Sequence, residues 1–121
     1  MCAKGANTFG KADRLLRTRE FDRVFSERKS ASSGCLIVYA AHNGLEYSRL
    51  GLSIGRQAGE SVTRNRIKRL VREAFRTAGE KLPGGFDFVV VARKNPCKWT
   101  YEVVESSLLK LAADAARRWA V

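Results

Sequence analysis

The run from Ser61 to Ala78 constrains this chain more than any other segment, because it has one face suited to a core and one face suited to an anion. At about 100° per residue, Ile67, Leu70, Val71, Ala74, Phe75 and Ala78 fall in a single apolar stripe, and Gly79 follows at a C′-like position. Asn65, Arg69, Arg72 and Arg76 lie within about 60° of one another on the opposite pole, with Arg64, Arg66 and Lys68 on the flanks. Between Arg49 and Arg76 there are eight basic residues against only Glu60 and Glu73. A helix charged merely for solubility interleaves Glu with Lys at i,i+4. This one instead sets Arg64 and Arg66 near its start, where the macrodipole opposes cations by ~0.3–1 kcal/mol each. An external polyanion offsets that cost, and the preference for Arg over Lys suits multidentate contact with phosphate. The competing reading, a solvated charged face, explains neither the single sign nor the placement.

The rest of the chain is consistent with a folded domain around that helix. With 121 residues and 45% apolar side chains, it fits one domain, and a domain of this size buries roughly two-thirds of its unfolded surface. The formal charge of +11 therefore signals a partner and not disorder. No apolar run approaches the ~20 residues of a membrane span, and the N-terminus lacks the apolar stretch of a signal peptide. Cys2, Cys35 and Cys97 are odd in number and widely spaced, which argues against a disulfide scaffold or zinc site and for a reducing cytoplasm. The first dozen residues are small and polar and read as a loosely held arm.

Phe21, Val24 and Phe25 sit at helical spacing after Thr18, a suitable N-cap, which predicts a short helix over Arg19–Arg28. Cys35–Ala41 is a β-rich run followed by the turn residues His42-Asn43-Gly44, and Arg49–Ile54 alternates Leu50, Leu52 and Ile54 against Arg49, Gly51 and Ser53. Together they predict an antiparallel hairpin with one buried face. A further short strand fits between Ser30 and Gly34. Pro83-Gly84-Gly85 makes a turn, Phe86–Ala92 a buried strand, and Pro96 precedes a last helix from about Thr100, with Val104, Leu108, Leu111, Ala115 and Trp119 on its inner face. The expected architecture is an α+β or α/β two-layer sandwich with a mixed sheet of three to four strands, in the order α-β-β-(β)-α-β-α.

A self-sufficient nuclease needs a base, a nucleophile or a metal cage. The one histidine, His42, falls in a turn and reads as a surface residue; Ser53 has no base partner; and the acids do not cluster as metal ligands do. Asp87 and Lys94 have the outer spacing of a metal-nuclease core, but the acid required two residues before Lys94 is Ala92. The residues predict binding and not protein-borne catalysis.

Arg64-Asn65-Arg66-Ile67-Lys68-Arg69, with Arg72 and Phe75 beyond it, closely resembles the hallmark of the bacterial ribonuclease P protein family. Phe9, Arg14-Leu15, Glu20-Phe21, Val24-Phe25, Arg49-x-Gly51-x-Ser53 and Val91-Ala92-Arg93-Lys94 occur in that family's order, so the resemblance extends from about Phe9 to Leu111. Gln57 stands where the family often has Lys, and Gly55-Arg56 replaces a more basic or Ser-containing step. The resemblance implies that the basic helix joins parallel strands by a left-handed crossover. It implies that a large RNA subunit performs the Mg²⁺-dependent hydrolysis that matures the 5′ end of precursor tRNA, while the protein supports that RNA and binds the 5′ leader. Arg64, Asn65, Arg66, Lys68, Arg69, Arg72 and Arg76 would then face the catalytic RNA. Phe21, Phe25, Ile37, Tyr39, Arg49, Ser53, Arg93 and Lys94 would line the leader cleft between the first helix and the sheet. Phe21 and Tyr39 are expected to be partly exposed, Phe25 to share its ring between core and cleft, and Gly51 and Ser53 to leave a low floor.

Two other classes compete. A structural RNA-binding protein of ribosomal type uses the same charge without processing anything. A DNA-binding protein would use residues 61–78 as a recognition helix, but no second helix precedes them at helix-turn-helix spacing.

Overall fold

The computed structural model describes residues 18–93 and 99–119. The expected N-terminal arm, Phe9, Arg14, Leu15, Lys94 and Pro96 lie outside them. Helix α1 (Thr18–Glu27) is followed by strands β1 (Ser30–Ser32), β2 (Leu36–His42) and β3 (Arg49–Ser53), then α2 (Ser61–Ala78), β4 (Phe86–Ala92) and α3 (Tyr101–Arg117). The four strands form one mixed sheet in the order β1-β2-β4-β3. β4 is antiparallel to β2 and parallel to β3, with Tyr39 and Gly51 both opposite Val89, and Ile37 and Ser53 both opposite Val91.

The predicted hairpin of residues 35–41 and 49–54 does not form. β4 enters between the two runs and pairs with both. The reason is compositional: a strand whose residues are nearly all apolar needs cover on both faces and belongs at the centre of a sheet. Five of its seven residues, Asp87, Phe88, Val89, Val90 and Ala92, are wholly shielded from solvent. His42, expected in a turn, is the last residue of β2, exposed and stacked on Phe86 with ring centroids 4.5 Å apart.

One face of the sheet carries the main core. Ile67, Val71, Ala74, Phe75 and Ala78 of α2 and Val104, Leu108, Leu111, Ala112 and Ala115 of α3 are buried there with Leu36, Val38, Leu50, Phe88 and Val90. α2 ends where predicted, at Gly79, whose φ of 52° is a conformation glycine adopts without a steric cost. Thr100 caps α3, its side-chain oxygen accepting from the Val103 amide. Among the described residues the helix that covers the opposite face is α1, whose Val24 packs with Ala41 and Val89. Cys35 is disulfide-bonded, contrary to the expectation drawn from three cysteines, odd in number and widely spaced.

α1 is held to its face by a buried carboxylate. Asp87, fully shielded in β4, accepts two hydrogen bonds from Arg49 of β3, Nε to Oδ1 at 2.8 Å and Nη2 to Oδ2 at 2.7 Å. It also accepts from the Asn43 amide at 3.0 Å and from the Arg23 guanidinium of α1. Arg23 donates as well to the His42 carbonyl at 2.9 Å, and Arg49 reaches Glu20 of α1 at 3.4 Å. Removing one partner of a buried, hydrogen-bonded ion pair costs about 3–5 kcal/mol, whereas an exposed pair is worth about 0–1 kcal/mol. Urea unfolding should therefore show Asp87→Ala losing ~3 kcal/mol or more, and Glu73→Ala, which breaks the exposed pair with Arg76, losing less than ~1 kcal/mol. Equal losses for the two variants would remove Asp87 as the tie between α1 and the sheet.

Candidate RNA interface

Two surfaces carry the residues singled out by the sequence, and they lie on different sides of the sheet. The first is the outer side of α2. Asn65, Arg66, Arg69 and Arg72 are exposed along it, while Arg64, Lys68 and Arg76 are half-buried. No acid stands in the first turn, and the Glu60 N-cap makes no side-chain capping bond. Arg66 Nε donates to the Trp99 carbonyl at 2.9 Å, and Arg64 Nη2 donates to Ser61 Oγ at 3.2 Å. Arg76 pairs with Glu73, which makes it the most committed member of the predicted stripe. Arg69 and Arg72 thus sit at the centre of an exposed row whose only acid is Glu73.

The second surface is a cleft between α1 and the sheet. Strict alternation puts Ile37 and Tyr39 of β2, Val89 and Val91 of β4, and Gly51 and Ser53 of β3 on the face that α1 covers. The registers arrange them in rows across the strands: Ser30, Tyr39, Val89 and Gly51 in one, Ser32, Ile37, Val91 and Ser53 in the next. Phe21 and Phe25 approach the Tyr39 row from α1, and the rings of Phe25 and Tyr39 meet edge-to-face at 4.9 Å. Phe21, Phe25 and Tyr39 are all half-buried, as are Ile37, Val91 and Ser53. The expected low floor holds only at Ser53, because Gly51 is buried.

The arginines of this surface differ in their freedom. Arg49 is fastened by Asp87 and Glu20, and hydrogen bonding to Asp87 raises its pKa above the ordinary arginine value despite burial. It is thus a strut at the base of the cleft, with Nε and both Nη groups already directed at carboxylates. Arg93 is exposed at the end of β4, with Nη1 donating to the Ser33 carbonyl at 3.3 Å. Lys94 lies outside the described residues.

Asp87, Arg23, Asn43 and Val91 belong to this region and were not anticipated from sequence. The signal for Asp87 was present, since an acid inside a strand that is otherwise apolar must find donors when buried. Among the described residues no three His, Cys, Asp or Glu side chains come together as a metal site. α2 follows β3 and a 3-10 turn (Arg56–Ala58), so the paired helices of a helix-turn-helix are not formed around it.

Comparison with known proteins agrees with this geometry. The family model described as Ribonuclease P matches residues 9–116. The ribonuclease P protein component of Halalkalibacterium halodurans is 39% identical over 106 residues, 87% of this chain and 89% of the relative. That of Alkaliphilus oremlandii is 36% identical over 99 residues, 82% of this chain and 87% of the relative. Among solved structures, the Staphylococcus aureus RNase P protein superposes with a TM-score of 0.75 at 29% identity, covering 88% of this chain and 97% of that one. The Thermotoga maritima RNase P protein gives 0.71 at 37% identity, covering 80% and 92%. With a mixed four-stranded sheet, an exposed arginine row on α2 and a half-open aromatic cleft under α1, the chain belongs to the ribonuclease P protein family, the protein component of the enzyme that matures tRNA 5′ ends.

Proposed function

We propose that the chain is a single RNA-binding domain that holds two RNA elements at once: the catalytic RNA of ribonuclease P on α2, and the 5′ leader of precursor tRNA in the cleft. The observation that carries this reading is the separation of an exposed arginine row from a half-buried aromatic cleft on the other side of the sheet. Folded RNA presents phosphates in fixed positions, which suits a rigid helical row of guanidinium groups. A single-stranded leader presents unpaired bases, which suits Phe21, Phe25 and Tyr39 with an apolar floor of Ile37 and Val91. Arg93 and Lys94 would serve the leader's phosphates. Arg49 serves the cleft by holding α1 in place.

The phosphodiester hydrolysis is assigned to the RNA, with Mg²⁺ as its ion. The described residues do not fit a metal centre: Asp87, the buried acid nearest the cleft, has both carboxylate oxygens taken by arginine and amide donors. Removal of a transcript's leader would be a cytoplasmic task; no helix among the described residues is long and apolar enough to cross a membrane.

Three outcomes are expected. RNA-free protein should leave precursor tRNA intact in Mg²⁺, and cleavage should appear when a bacterial catalytic RNA is added; cleavage by the protein alone would overturn the division of labour. Neutralising Arg69 and Arg72 should weaken binding to the catalytic RNA and flatten its log–log salt dependence by about 0.7–0.9 for each phosphate no longer neutralised, read from titrations across salt concentrations. An unchanged slope in a folded variant rejects the α2 surface. Tyr39→Ala should cost ~1–3 kcal/mol in affinity for precursor tRNA and almost nothing for mature tRNA. Equal losses for both tRNAs would replace the stacking cleft with a scaffolding role of the ribosomal-protein kind.

A further inference from the structure

β1 is an edge strand of three residues, and one margin of the cleft ends on it. The Lys29 carbonyl accepts from the Ala40 amide, and the Ser33 amide donates to the Leu36 carbonyl, so the odd-numbered residues face β2. Ser30 and Ser32 therefore turn their backbone groups to the outer edge of the sheet, where no further strand pairs among the described residues. The end of α3 lies against this edge. Arg118 Nε donates to the Ser30 carbonyl, and Ala31, Ser32, Asp114, Arg117 and Arg118 line a shallow groove of about 480 Å³.

The cations around this strand come from three separate parts of the chain. Arg117 and Arg118 close α3 and are exposed; Arg93, at the end of β4, reaches Ser33; and Arg28 and Lys29 lead directly into β1. Asp114, paired with Arg117, and Glu27 are the acids beside them. Arg28 is the telling member. It closes α1 with φ of 58°, the left-handed conformation usually given to glycine after a helix, and its side chain is exposed. A basic residue at a position where glycine would sit more easily points to a use for the charge.

Continuity decides which polyanion it meets. The rows of the cleft run from Ser53 of β3, on the margin from which the chain passes into α2, across Val91 and Ile37 to Ser32 of β1. A strand of RNA lying along that row with one end near α2 leaves the cleft over β1. We propose that the β1 edge and the end of α3 form a second phosphate-binding surface, which takes the backbone of the leader after it has crossed the cleft. The proposal rests on the leader reading of the cleft given above. The serine hydroxyls and amides at the edge and the guanidinium groups of Arg117 and Arg118 read phosphate and not base, so this surface lengthens the binding track without adding sequence preference.

The test uses the holoenzyme reconstituted with its catalytic RNA, and one tRNA body carrying no leader, a leader of about four nucleotides or one of about sixteen, the range single-strand sites on one small fold span. The wild-type protein should bind the long-leader substrate more tightly than the short one. Arg117→Gln/Arg118→Gln should lose that gain, leave short-leader and leaderless affinities unchanged, and lower the long-leader salt slope by about 0.7 for each phosphate released. Arg117→Lys/Arg118→Lys should retain most of the gain. Because the glutamine pair also removes the tie to Ser30, Arg28→Gly supplies a second variant that relieves the left-handed backbone while deleting a charge; it too should lose part of the gain without loss of thermal stability. No gain with leader length in the wild type, or a full gain in both variants, overturns the proposal. So does an equal loss for all three substrates, which would assign the edge to folded RNA. Tyr39→Ala reports separately on the cleft, since its effect is already present with the short leader.

Discussion

Asp87 determines where the first helix can sit, and the cleft exists only because that helix sits where it does. A carboxylate shielded from solvent in the central strand is costly unless each oxygen is met by donors. Here Arg49 meets both oxygens from β3, Arg23 meets one from α1, and Asn43 meets the other from the loop after β2. Asn43 is itself fixed, donating to the Tyr47 carbonyl at 3.1 Å and accepting from the Leu45 amide at 2.7 Å. With Glu20 closing on Arg49, the cluster holds two acids and two arginines and is neutral as a unit. An apolar plug of similar volume could cover the same area, but it lacks direction. The bidentate contact orients the Arg49 plane, and that plane receives Glu20 of α1 at one defined position.

The cleft follows from this anchoring together with the length of α1. Ten residues make a helix of about 15 Å, enough to cover the rows of Asp87 and Val89 but not the whole face. The row of Ile37, Val91 and Ser53 is left half-open, and the rings of Phe21, Phe25 and Tyr39 are neither core nor surface. A longer helix would bury them and stabilise the fold further. The partly exposed rings form an apolar patch of the kind on which unpaired bases can stack.

Where the sequence was strongly periodic and clearly punctuated, it could be read to the residue: Ser61–Ala78 ends at a glycine of positive φ, and Phe86–Ala92 follows Pro83-Gly84-Gly85. The pairing of strands was not legible in the same way. Two adjacent β runs separated by turn residues suggest a hairpin by proximity, but pairing is decided by which strand most needs burial, and that strand came later in the chain. The parallel pairing of β3 with β4 was available only through the family resemblance. The site divided along the same line. The α2 face could be seen as a helical stripe, and Ile37 with Tyr39 as an alternating pair. Which arginines were already committed to carboxylates could not, because Arg49 and Asp87 are far apart in the chain and meet only through sheet register.

The contrast between Arg49 and the arginines of α2 shows how one fold uses the same side chain in two ways. At Arg49 the carboxylate is internal, and the guanidinium is part of the structure. On α2 the helix is secured from its other side, by Ile67, Val71, Ala74, Phe75 and Ala78 packed under α3 and the sheet. Because tertiary packing supplies most of a helix's stability, the polar face need not contribute salt bridges of its own. It can therefore hold cations where the macrodipole disfavours them, with no acid in the first turn to meet them. Glu20 and Asp87 meet the arginines that hold α1, whereas the first turn of α2 carries no acid and its exposed row carries only Glu73. That distribution, more than the net charge, separates the α2 row, whose cations are open to an external anion, from the Asp87 cluster, which is a joint within the fold.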